Sequence, residues 1–127
     1  MRELAKYKLT RKQKAEEERQ FTVNRIISLC REKKWKKLGI TSSSRNYRGI
    51  DIIVQHLNEI AEQRKLEMIF YELKPIAYFA ESLEEAKRLD GVIFSESYGR
   101  SYYSELDKCM ELLEENHVSI GGVVIIS

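Results

Sequence analysis

The chain has 127 residues, of which 43% are hydrophobic and 33% charged. That balance supports one domain of ordinary size and excludes a disordered chain, and no run approaches the roughly 18 apolar residues of a membrane span. The net charge of +2 conceals an uneven distribution: residues 1–37 hold 13 Lys/Arg against 5 Asp/Glu, and residues 38–127 hold 9 against 15. A basic end on an acidic body suits contact with lipid head groups or an acidic partner, and equally suits a plain solvated helix. Met1–Thr10 has no apolar core, so no secretory signal is expected there. Cys30 and Cys109 fall in helix-like patterns, which makes no disulfide framework and points to a reducing compartment such as the cytoplasm. Two histidines far apart, His56 and His117, do not make a zinc motif.

In chain order the hydrophobic period alternates between helix and strand. Residues 11–34 predict a helix, polar at first and then amphipathic through Val23, Ile26, Ile27 and Cys30. Trp35, just beyond it, is expected to anchor packing. Lys37–Thr41 predicts a short strand. Ile50, Ile53, Val54, Leu57 and Ile60 follow at helical spacing. Leu66–Tyr71 predicts a second strand, ending near Pro75, the only proline. Leu83–Leu89 predicts a short helix, Gly91–Phe94 a third strand, residues from about 101 to 116 a helix, and Val118–Ile126 a last, almost wholly apolar strand.

Strands separated by helices are not hairpin partners; they predict right-handed crossovers in a mainly parallel sheet. Apolar runs without alternation imply helices on both faces. The expected fold class is therefore α/β, a small three-layer sandwich of about four strands, with residues 1–20 as a charged helical arm and 21–127 as the domain. Ligands in such folds sit at the carboxyl ends of strands, here Thr41–Gly49, Glu72–Pro75 and Ser95–Arg100. The first of these, Gly39-Ile-Thr-Ser-Ser-Ser-Arg-Asn-Tyr-Arg-Gly49, stands where a phosphate-binding loop would. It lacks the Gly-Lys-Ser/Thr that neutralises phosphates and holds magnesium. Ser42, Ser43, Ser44, Arg45, Asn46, Arg48 and Gly49 can still supply backbone N–H groups and positive charge to an anion, or form a plain polar turn.

The stretch Trp35-Lys-Lys-Leu-Gly-Ile-Thr-Ser-Ser-Ser44 resembles the strand entering the Walker A loop of bacterial tyrosine kinases, the P-loop ATPases of capsular and exopolysaccharide biosynthesis. Asp90-Gly-Val-Ile-Phe94, Tyr98–Leu106 and Gly122-Val-Val124 resemble that family's late strand, helix and strand, in the same order. The resemblance implies a P-loop NTPase-like fold and places Gly49 at the Walker A lysine and Ile50 at the magnesium-binding Ser/Thr. It places Glu72, in Glu72-Leu-Lys-Pro75, as a vestigial Walker B carboxylate. One βα portion of the family pattern is expected to be deleted between Gln63 and Pro75, and its tyrosine-rich tail is not expected here. Tyr98, Tyr102 and Tyr103 are candidate phosphoacceptors, or packing residues at a layer edge.

Loss of the lysine and the magnesium hydroxyl removes most of the charge neutralisation on which phosphoryl transfer depends. The expectation is thus a pseudoenzyme with no metal and no cofactor, or at most weak binding of ATP, ADP or phosphate. The resemblance implies a cytoplasmic protein, peripheral at the inner face of the membrane. It would be a regulatory or scaffolding partner of a membrane chain-length regulator or of an active kinase. Independently, the almost wholly polar stretch 11–20 cannot bury much surface on the domain, so the arm is expected to serve self-association or docking to a partner. The rival reading is an enzyme that binds nucleotide weakly through Arg45, Arg48 and Glu72; a third is a phosphate-sensing or phosphocarrier-like α/β module. Nucleic acid is disfavoured, because aromatic residues do not interleave with the basic ones.

Overall fold

A computed structural model describes residues 11–45, 49–97 and 103–126. The elements alternate throughout: α1 (Arg11–Lys33), β1 (Lys37–Thr41), α2 (Ile50–Gln63), β2 (Ile69–Glu72), α3 (Ala80–Ala86), β3 (Gly91–Ser97), α4 (Tyr103–Glu115) and β4 (Ile120–Ile126). The four strands form one all-parallel sheet in the order β2-β1-β3-β4. The expected α/β sandwich is what the chain forms.

Both faces of the sheet are covered. Val23, Ile26, Ile27 and Cys30 of α1 and Ile53, Leu57 and Ala61 of α2 pack on Leu38, Ile40, Phe70, Ile93 and Val124. On the other face Ala86, Cys109 and Leu113 pack with Val92, Phe94, Leu73 and Ile76. Burial of this kind is the main favourable term in the fold. It also raises the Cys30 thiol to about 12 and moves the Cys109 thiol upward, so neither is a ready nucleophile.

Several boundaries differ from the sequence reading. β2 begins at Ile69 rather than Leu66, because Leu66 still belongs to the end of α2. α3 covers Ala80–Ala86 rather than Leu83–Leu89, since Phe79 is extended and the chain turns after Ala86. β3 runs on to Ser97, three residues past Phe94. β4 starts at Ile120, two residues late, because Val118 closes the end of α4.

Three helices end in the same way. Lys34, Lys65 and His117 have φ of 59°, 55° and 59°. In each case the next N–H reaches back five residues: Trp35 to the Cys30 carbonyl at 3.0 Å, Leu66 to Ala61 at 2.8 Å and Val118 to Leu113 at 2.9 Å. This left-handed closure satisfies carbonyls that a helix end leaves open and turns the chain sharply into the strand that follows.

The Trp35 ring then lies over two neighbouring strands. A Cβ at Gly91 would run into the ring, and one at Gly121 would lie 2.7 Å from it. Gly121 is also the extra residue of a bulge, since Val92 pairs with Ile120 and Ile93 with Gly122. Asp90, just before β3, accepts from the N–H groups of Lys36 and Lys37 at 2.8 and 2.9 Å. These two bonds, that from Lys37 first, hold its carboxyl below the ordinary value of 3.8.

The outer edge of β2 is closed by α2. Asn58 donates from Nδ2 to the Phe70 carbonyl at 3.0 Å and accepts from the Phe70 N–H at 2.9 Å. At the other end of the molecule, α1 outreaches the sheet. Its 23 residues span about 35 Å, against about 17 Å for the five of β1. Burial on α1 begins at Thr22, and none of the described side chains from Arg11 to Gln20 is buried. The expected limit of the arm at residue 20 therefore falls inside a continuous helix, at the turn where packing starts.

Candidate functional site

From β1 the chain crosses by α2 to β2 on one side; from β2 it returns by α3, over the opposite face, to β3 on the other side of β1. The crevice at the carboxyl ends of β1 and β3 is thus the point where the winding reverses, the place ligands favour in doubly wound sheets. The last paired residues there are Thr41 and Phe94. Two residues beyond each stand Ser43 and Glu96, and the same register brings them together.

Glu96 is only 3% exposed. One carboxylate oxygen, Oε1, accepts from the Ser43 N–H at 2.8 Å; the other, Oε2, accepts from Ser42 Oγ at 2.9 Å. Ser42 Oγ in turn accepts from the Ser44 N–H at 3.2 Å. A buried carboxylate is tolerable only with such charge-assisted bonds. Ser42 and Ser43 are buried with it, and Ser43 Oγ has no hydrogen-bond partner among the described residues. A backbone N–H and a hydroxyl converging on one group at the head of a strand can hold an anion, and here the anion is the chain's own side chain.

Arg45 lies 5.5 Å above the Tyr78 ring, and the Tyr78 hydroxyl donates to Glu105 Oε1 at 3.2 Å. Desolvation and then the Glu105 carboxylate raise the Tyr78 hydroxyl. Between Ala77, Tyr78 and the outer side of α4 runs a groove of about 410 Å³, bordered by Glu105, Lys108, Leu112 and Glu115. Gly49 precedes α2 with φ of 80°, and Ile50, the first residue of the helix, is 3% exposed in the core.

Of the residues expected at the site, Ser42, Ser43 and Ser44 meet at the head of β1, with Arg45 beside them on Tyr78. Glu72 is exposed at the end of the edge strand β2, and the carboxylate that meets the loop is Glu96 on β3. Asn46, Arg48, Tyr98 and Tyr102 lie outside the described residues, as does the Tyr103 side chain. Sequence reasoning missed Glu96: the local signal is only an acidic residue soon after the apolar run 92–94, and its meeting with the serines is set by the register of β1 and β3. Among the described residues no group of three or more His, Cys, Asp or Glu is placed to hold a metal ion, and no helix is long and apolar enough to cross a membrane. Comparison with known families, with curated proteins and with solved structures finds no match to this chain.

Proposed function

We propose that this chain is a non-catalytic, P-loop-like protein of capsular and exopolysaccharide biosynthesis. It acts at the cytoplasmic face of the membrane as a regulatory or scaffolding partner of a chain-length regulator or of an active kinase. The observation that carries the non-catalytic reading is the entry to α2. Where a lysine and a magnesium-binding hydroxyl would face phosphate, the chain has Gly49 in a left-handed conformation and Ile50 turned into the core. Neither can neutralise charge in a phosphoryl-transfer transition state. The polysaccharide context is supported by the ordered likeness of the segments at 35–44, 90–94, 98–106 and 122–124. Arg25, Arg31 and Lys33 on α1 are each exposed and offer positive charge to an acidic partner segment.

Purified protein given magnesium and ATP is expected to release no phosphate. Its melting temperature is expected to stay unchanged in ADP, whereas a ligand at a hundred times its Kd stabilises by about 2.7 kcal/mol. Steady turnover that disappears in Glu72→Ala would overturn the non-catalytic reading. For the partner, the immobilised cytoplasmic segment of a chain-length regulator should capture the wild type and release the variant carrying Arg25→Glu, Arg31→Glu and Lys33→Glu. Failure to bind either that segment or a kinase of the group would refute the scaffolding role.

A further inference from the structure

We infer that Glu96 is a built-in ligand: its carboxylate fills an oxyanion site at the head of β1, which accepts inorganic phosphate once the carboxylate is gone. The inference rests on reading the β1–α2 loop as a degenerate phosphate loop. It adds the identity of the group that closes it.

The placement of the donors carries the argument. The Ser43 N–H and the Ser42 hydroxyl are directed to the two oxygens of one carboxylate. Ser43 Oγ, on the same residue, is buried with no partner among the described residues. A carboxylate presents its lone pairs in one plane; the tetrahedral oxygens of a phosphate reach further directions and can serve the same donors together with a neighbouring hydroxyl. Ser42 and Ser43 are 4% and 0% exposed, so their bonds to a charged group are weakly screened. The position is already taken by a residue whose effective concentration is that of an intramolecular group.

The test is phosphate titration of the full chain in three forms: wild type, Glu96→Ala and Glu96→Gln. Ala empties the position. Gln is isosteric, removes the charge and exchanges one acceptor oxygen for an NH2 donor, so it serves if the Ala variant does not fold. Melting is compared in about 50 mM inorganic phosphate and in sodium chloride of equal ionic strength. Phosphate should raise the melting temperature of Glu96→Ala by about 5 °C or more, that of Glu96→Gln by less, and that of the wild type by about 1 °C at most. Calorimetry should show at least a tenfold tighter Kd for Glu96→Ala than for wild type. Adding Ser43→Ala should cancel most of the gain, which a generally loosened protein would not do. If wild type and Glu96→Ala bind phosphate equally, and Ser43→Ala weakens both, the loop is a phosphate site but Glu96 does not close it, and the inference fails alone. If no variant responds, the oxyanion site itself is refuted. The non-catalytic reading then stands or falls on its own turnover and capture assays.

Discussion

Lys34, Lys65 and His117 each hold a left-handed backbone that costs an L-residue about 1–2 kcal/mol and glycine nothing in steric terms. Replacing any one with glycine keeps the back-reaching hydrogen bond and relieves that cost, against some added freedom of the unfolded chain. Lys34→Gly or Lys65→Gly should therefore stabilise the protein by about 0.5–1 kcal/mol in urea denaturation. The same substitution at Arg25, exposed and well inside α1, should destabilise it by about 1 kcal/mol. Asp90 gives a pH dependence of definite sign. Its folded carboxyl is held below 3.8 by the Lys37 and Lys36 N–H groups. Its contribution is thus complete above the unfolded value and disappears as pH falls through the folded one. The stability difference between wild type and Asp90→Asn should be constant from about pH 5 to 7 and shrink on acidification below about pH 4. A difference that grows on acidification would contradict the assignment.

Among the elements, β2 is short and lies at an edge, yet its backbone at Phe70 is not left open. Asn58 reaches from α2 to occupy both the N–H and the carbonyl, as a further strand would. Asn58→Ala should cost about 2 kcal/mol, two neutral hydrogen bonds with their desolvation, and should speed amide exchange at Phe70 more than at Phe94. Asn58→Asp keeps an acceptor for the N–H but places charge against the Phe70 carbonyl, so it should not rescue. This device was invisible in the sequence, where Asn58 is one polar residue on an amphipathic helix. The strands themselves were legible, because Leu38, Ile40, Val92 and Phe94 sit in apolar runs that only a doubly covered sheet can bury. Their ends were not. Leu66 and Val118 are apolar because they close helices, and Glu96 breaks an apolar run because its partners, Ser42 and Ser43, lie more than fifty residues away. Local patterns carry burial; they do not carry a pairing fixed by strand order.

For the whole molecule, stability should grade along α1. Its turns from Thr22 to Cys30 contribute Val23, Ile26 and Ile27 to the core, while Arg11–Gln20 add no buried side chain among those described. A helix without tertiary support is marginal. Amides of residues 14–19 should exchange by local fraying, orders of magnitude faster than those of 26–30, which should approach the global limit. Equal protection at low protein concentration would mean that the first half of α1 is packed on its own domain.

The chain's single tryptophan joins its two ends. Trp35 leaves α1 and lies on glycines of β3 and β4, so its surroundings are complete only when the last strand has docked. Lys33 Nζ sits 5.3 Å from the ring. The emission of Trp35 is consequently an intrinsic gauge of C-terminal assembly. In a refolding experiment it should reach its native wavelength with the slowest phase, after far-ultraviolet dichroism has reported the helices. A variant halted before β4 joins the sheet would give itself away by a red-shifted spectrum on an otherwise helical chain.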